Sequence, residues 1–373
     1  MNDGAISRRR LLHGVSATTL ALLAAHPGAR LVRAQTGATY DLIDLGPFET
    51  AVSPSSDFSI TGSSRIASIN ETGDVCGRYA VSDERFSPSI WPVAGSLRRL
   101  KSATLGGEAR AMNADGVVVG RQQYESDAGF ITRPTVWRDG EPTNLPGLLF
   151  GDEGSARDLN DDGVIVGGVG TPVLGARWVD DEPEELPIPE DVTSFAPWRI
   201  NNAGTIFGVL VPSSSDAPRQ VAFLRGDEFT VIELPEEVIG YLSVNGATAI
   251  GMSESEIGVV TVGYDSTVYP VRIDGDDLEV IPTPADDVNL ALWDINDSGV
   301  AVGYAWPQVD GFATTNAVAV LHRDGELIDL NTVTAVGDLR ITEALTINNS
   351  GVIAGHALDA NGTLHGVVLA PSV

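Results

Sequence analysis

The residues Asp158-Leu159-Asn160-Asp161-Asp162-Gly163 place side-chain oxygens at alternate positions ahead of a glycine. That is the opening of a calcium loop, in which convergent oxygens hold the cation and glycine permits the sharp bend. Asp294-Ile295-Asn296 begins a near copy. The twelfth position, where such a loop needs a bidentate acid, is Val169. Asp158, Asn160, Asp162, Asp294 and Asn296 are therefore metal candidates only in outline, calcium is the one cofactor the pattern admits, and a turn built on Asn and Gly explains it better. A second constellation follows a recurrent glycine: Arg78, Arg121, Gly168, Val209, Met252, Tyr304 and His356 each stand directly after it. Four of the seven are Arg, Tyr or His, and Tyr79, Gln122, Tyr124 and Trp306 lie just beyond. Arginine forks and aromatic faces on one rim could hold an anionic or sugar-like small molecule by bidentate hydrogen bonds and stacking. The plain alternative is that these arginines pair with nearby acids.

What must position these residues is a repeat. An apolar residue, Asn, two polar or small residues, Gly, and an alternating apolar stretch closing on Gly occur at Asn70, Asn113, Asn160, Asn201, Asn296 and Asn348. A seventh copy, one residue short, is read at Asn245-Gly246. Successive Asn residues are 43, 47, 41, 44, 51 and 52 apart, and a period of that size marks an architecture of stacked supersecondary units. Each unit reads as four short strands: strand a ending at the Asn, strand b toward the closing Gly, strand c as in Pro88-Ser89-Ile90-Trp91, and strand d as in Glu326-Leu327-Ile328-Asp329-Leu330. Asp-Gly turns join several c and d strands. The last unit lacks strand d, while Tyr40-Asp41-Leu42-Ile43-Asp44-Leu45 has no neighbour to pair with. The expected fold is all-β, a seven-bladed β-propeller of four-stranded antiparallel blades, closed by residues 39–48 as the fourth strand of the last blade. Residues 35–373 form one domain.

Residues 1–34 carry a basic start, an apolar run from Gly14 to Ala25 and Val32-Arg33-Ala34, an export leader by pattern. Ser7-Arg8-Arg9-Arg10-Leu11-Leu12-His13 resembles the twin-arginine export signal, which implies passage across the membrane already folded and a secreted or extracytoplasmic location. The apolar run is too short to span a bilayer, and no membrane span is expected in the mature chain. The 51 acidic and 23 basic residues give a charge of −28, and loss of the leader takes the balance to −32. Such a surface repels nucleic acid and anionic membranes, which are bound through Lys and Arg. Cys76, alone, occupies the slot that Val119, Val166 and Val302 fill, a small buried hydrophobe rather than a reactive thiol. Asn70, Asn296, Asn348 and Asn361 match the glycosylation acceptor pattern, which Asn-rich turns produce by chance. His322, His356 and His365 are not spaced as a metal cluster.

His365-Gly366-Val367-Val368-Leu369, preceded by Ile347-Asn348-Asn349-Ser350-Gly351-Val352-Ile353-Ala354-Gly355, resembles the HAF-repeat family of extracellular proteins. The resemblance covers residues 65–373, with the family's His present only at His365. It implies a secreted repeat protein and no particular chemistry. Together the sequence describes a monomeric, exported, non-catalytic binding module for an anionic or carbohydrate ligand. The rival is a secreted glycan-active lyase or hydrolase, which needs converging carboxylates or a His and Tyr pair.

Overall fold

The computed structural model describes residues 30–32, 39–48 and 65–372, apart from 83–84, 93–94, 103–104, 128, 150, 172, 215–216, 235–249, 265–266 and 309–315. Most of the expected leader lies outside these residues, and so do Asn245 and Gly246. The described chain contains no α-helix, and no helix long and apolar enough to cross a membrane. It is a seven-bladed β-propeller.

Blade one comprises Arg65–Ile69, Val75–Ser82, Arg85–Trp91 and Arg98–Arg99, and blade two Gly107–Met112, Val118–Ser126, Gly129–Arg138 and Glu141–Asn144. Blades three and four begin at Gly154–Leu159 and Val192–Ile200, blades five and six at Ile250–Met252 and Val288–Ile295. Within each, strands a to d pair antiparallel in chain order. Strand a of every blade lies beside strand a of the next, and Arg340–Ile347 of blade seven returns to Arg65–Ile69 of blade one, so the seven strands surround a channel. Blade seven is completed by Tyr40–Pro47, whose Leu42 faces Leu369 in antiparallel register. Arg30–Val32 adds a fifth strand outside it, Val32 opposite Leu42, in a stretch the sequence assigns to the leader.

The blades are held by apolar layers between sheets. Trp137 and Trp178, in strands c, are fully buried, and their indole N–H groups donate to the carbonyls of Lys101 and Pro146 at 2.7 and 2.8 Å. Each such ring contributes about 2 to 3 kcal/mol by burial, and the carbonyl keeps its polar end satisfied. Cys76 lies in the same kind of layer with Ile90, Leu100 and Trp137, and burial pushes its thiol pKa up.

The repeat's Asn and Gly have distinct duties. Each Asn side chain turns its oxygen back to the N–H four residues on, as in Asn113 with Val117 at 3.0 Å. Its amide reaches the next blade: Asn70 to the Asn113 carbonyl at 3.1 Å, Asn113 to Asn160 at 3.3 Å, Asn160 to Asn201 and Asn201 to Glu254 at 3.2 Å, Asn296 to Asn348 and Asn348 to Asn70 at 3.1 Å. The result is a belt of buried hydrogen bonds from blade to blade. The glycosylation pattern at Asn70, Asn296 and Asn348 thus falls on side chains the belt occupies.

The closing Gly serves a bulge. In six blades strand a skips one residue of register three places before the Asn: Ala67, Arg110, Arg157, Trp198, Trp293 and Leu345 are passed over. The bulge bends the strand-a carbonyl over the facing glycine. A Cβ on Gly77, Gly120 or Gly303 would lie 2.0, 2.0 or 1.9 Å from the carbonyl oxygen of Arg65, Glu108 or Ala291. Blade five departs from this. Its unit begins at Ser253, not Asn245, so the true spacings there are 52 and 43 residues. Ser253 Oγ accepts from Ile257 N–H at 3.1 Å in place of Asn, Glu256 takes a positive φ of 63° in place of Gly, and Val260 stands where the others have the closing Gly. Its described strand a has no bulge.

Candidate functional site

The expected arc separates into two groups. Around blades one and two, Glu108 is held by three arginines: Arg78 at 3.2 Å, Arg110 at 2.6 Å and Arg121 at 3.1 Å. Burial alone would raise the Glu108 pKa, but the charges of Arg110, Arg121 and Arg78 overcome it and hold the carboxyl far below the usual range. Arg78 also covers the Phe86 ring at 4.5 Å. Tyr79 lies under Arg99 at 4.9 Å, Tyr124 donates to Asn144 Oδ1 at 2.9 Å, and Gln122 is buried. The pairing of Arg78 and Arg121 with an acid is therefore real, and one carboxylate serves both.

Around blades six, seven and one, Tyr304 and Trp306 are buried, and the Tyr304 ring lies 6.1 Å from Trp293 and 5.3 Å from Trp306. His356 is 2% exposed; its Nε2 accepts from Ile66 N–H at 3.2 Å, which leaves the proton on Nδ1, donated to Glu343 at 2.6 Å. That places His356 as a clasp between blades seven and one. In blade five the equivalent of these positions is Thr261, not Met252, which belongs to strand a. Arg65 joins the two groups: its guanidinium sits 5.3 Å over Trp293 and acts on both Glu343 and Arg78.

At the end of the channel formed by the Asn turns lies a cavity of about 230 Å³ lined from all seven blades. Its rim carries Glu71, Asp161, Asn202, Glu254 and Asn349, and inside are Arg110, Asp158, Arg199 and Asp294. Rim side chains form a second, exposed belt by accepting backbone N–H groups, as Asp161 does from Ala114 at 2.9 Å and Glu254 from Asn202 at 2.7 Å. Burial and mutual repulsion raise the pKa values of Glu71 and Glu254.

The calcium candidates divide likewise. Asp158 accepts from Leu159 and Ile200 N–H, both at 3.0 Å, and Asp294 from Ile347 N–H at 3.0 Å and Thr346 Oγ1 at 2.8 Å. Burial pushes Asp158 up to about 6, against the pull of Arg199, and it raises Asp294 as well. Asn160 and Asn296 are committed to the belt, and Asp162 is exposed. Among the described residues no three His, Cys, Asp or Glu side chains are grouped as metal ligands.

No protein-family model matches the chain, and no curated protein matches it in sequence. Solved structures do. A puromycin hydrolase shares 14% identity at a TM-score of 0.50, with 82% of this chain covered and 51% of that one, so the chain spans about half its length. An ulvan lyase bound to an oligosaccharide shares 12% at 0.42, covering 92% and 96% of the two chains, and the Aleuria aurantia lectin 9% at 0.34, covering 83% and 96%. The likeness is one of fold.

The residues that sequence reasoning missed sit in and beside the bulges. Arg110, Arg157 and Arg199 come from strands a of three successive blades, and with Arg121 they repel one another. Arg157 stacks on Trp198, guanidinium carbon to ring centroid 4.1 Å. The available signal was four arginines within five residues of a repeat Asn, on a chain short of basic residues: Arg65, Arg110, Arg157 and Arg199.

Proposed function

We propose that the chain is an extracytoplasmic, non-catalytic binding module whose channel takes an anionic saccharide. One observation carries this reading. On a protein with 51 acidic and 23 basic residues, Arg65, Arg78, Arg110, Arg121, Arg157 and Arg199 gather on strands a and b of blades one to four, and Glu108 alone forms ion pairs with three of them. Like charges so placed oppose folding, and an anion drawn between them would relieve the repulsion. Aromatic rings stand beside the same arginines at Trp198 and Trp293, and faces of that kind suit a sugar ring. The test is calorimetric titration with acidic and neutral oligosaccharides. Acidic ones should bind with an affinity that falls as salt rises, because the attraction is screened. Equal binding of neutral sugars, or none of either, overturns the reading.

A second reading, a secreted glycan-active enzyme, draws on Asp158, whose carboxyl pKa is pushed up to about 6 by burial, in the same cavity as Asp294. A carboxyl in that range can act as a general acid. New reducing ends or unsaturated products on incubation with an acidic polysaccharide would establish it over simple binding.

A further inference from the structure

Arg157 has no counter-ion among the described residues. Among the described residues no carboxylate lies within ion-pair distance of it and no acceptor takes a hydrogen bond from it; its contact is the Trp198 face. Glu108, the acid that acts on it, already serves Arg78, Arg110 and Arg121. Burial first, then the charges of Arg110, Arg121 and Arg199, push the Arg157 pKa down to about 9. Trp198 adds a second idle donor: its Nε1 is hidden from solvent and has no hydrogen-bond partner among the described residues. Withdrawn donors of this kind are costly to leave unpaired, and stability alone would favour an apolar side chain at position 157.

We infer that Arg157, stacked on the Trp198 face, forms the anchor for the acid group of the ligand, and that this group is the planar carboxylate of a uronic acid. The inference rests on the binding function proposed above and narrows it. With one face of the guanidinium covered by Trp198, the donors left to Arg157 are the N–H groups in its own plane, and that fork matches the two oxygens of a carboxylate. Arg110, Arg121 and Arg199 supply the positive field that makes the spot attractive to charge. A sulfate ester shares the anionic chemistry but not the planarity.

The experiment titrates the full chain and its Arg157→Gln, Arg157→Lys and Trp198→Phe variants with trigalacturonic acid, a monosulfated trisaccharide, maltotriose and sodium acetate, with melting temperatures measured in parallel. The wild type should bind trigalacturonic acid at least about tenfold more tightly than maltotriose, the worth of one charge-assisted hydrogen bond. R157Q should lose about tenfold or more of that affinity with an unchanged or higher melting temperature, since it removes an unpaired cation. R157K, which keeps the charge and loses the fork, should lose part of it, while W198F, which keeps a ring under the guanidinium, should keep most of it. Should R157Q fail to fold, R157K carries the test. Binding of trigalacturonic acid that is indifferent to position 157 overturns the anchor and leaves the binding function standing. Acetate binding that depends on Arg157, without binding of any acidic sugar, does the reverse. Preference for the sulfated sugar overturns the carboxylate assignment, and no binding of any probe overturns both.

Discussion

The side-chain amide of Asn348 donates to the main-chain carbonyl of Asn70 across 3.1 Å, joining residues 278 apart in sequence. The bond is the step of the Asn belt that connects the last blade to the first. Both partners are buried, and Asn348 Oδ1 is occupied by Val352 N–H at 2.9 Å. Removing the side chain therefore leaves the buried Val352 N–H without its partner and takes one of two donors from the Asn70 carbonyl, which keeps Gly73 N–H at 3.0 Å.

Asn348→Ala should cost about 2 to 4 kcal/mol of unfolding free energy, the loss of two buried hydrogen bonds, one of which leaves an N–H unpaired. Asn348→Asp keeps an acceptor and an O–H donor while its new carboxyl is protonated, and loses the donor when the carboxyl ionises, so it should cost less than Asn348→Ala at low pH and more as pH rises. Urea denaturation of both variants at low and at neutral pH checks the ordering. A loss for Asn348→Asp that is the same at both would mean that the donor contributes nothing.

Gly303 faces a harder constraint. A Cβ there would stand 1.9 Å from the Ala291 carbonyl oxygen, whereas one on Gly226, at φ 61°, would meet nothing within 4 Å. Gly303→Ala should destabilise by about 3 kcal/mol or prevent folding, since backbone and not a flexible side chain must yield. Gly226→Ala should cost about 1 kcal/mol from the left-handed conformation alone. Comparable melting temperatures for the two variants would refute the link between bulge and glycine.

These roles explain how far the sequence could be read. Asn and Gly each do something no other side chain does as well in six blades, so their spacing displays the blade count. In blade five Ser253 keeps the acceptor half of the Asn role, Glu256 tolerates the positive φ, and the absence of a bulge removes the need for glycine at Val260. With its marks gone, the pattern shifts upstream to Asn245, a few residues from the true turn. The arc of Arg, Tyr and His residues was found because it follows the closing Gly, yet its partners were not legible: Glu108 and Glu343 lie on strands a, opposite Arg121 and His356 in register. Arg157 was still less visible. Its position holds Ala67, Arg110, Trp198, Ile250, Trp293 and Leu345 in the other blades, so no constant chemistry distinguishes it, and the bulge alters which residues share a face.

Phe48, the last of the residues the sequence assigned to the closing strand, lies just past the observed strand Tyr40–Pro47 and seals that blade. Its ring lies 5.1 Å from Trp91 and occupies the space over Gly366, where a Cβ would fall 2.2 Å from its ring. Phe48→Ala should cost about 3 to 5 kcal/mol through the cavity it leaves between blades seven and one. Hydrogen exchange should locate the loss: amides of residues 364–370 should exchange faster, while those of blade three stay protected. Uniform acceleration would show that the closure unfolds only with the whole ring.

Asp158 gives the channel a titration with a definite sign. Burial disfavours the charged form and pushes its folded pKa up to about 6, above the 3.8 of a free aspartate. The native state therefore binds this proton more tightly than the unfolded chain. The resulting stabilisation is complete below the unfolded value and is lost as pH rises through about 6. Asp158→Asn, neutral at every pH, removes that dependence. The melting temperature of the wild type minus that of D158N should then increase as pH is lowered from 7.5 to 4.5, an interval of about three units spanning most of the shift. A difference that stays constant over the interval would place Asp158 in a solvated site, and a difference that shrinks toward low pH would mean that the ionised form is the one its two backbone N–H donors and Arg199 hold.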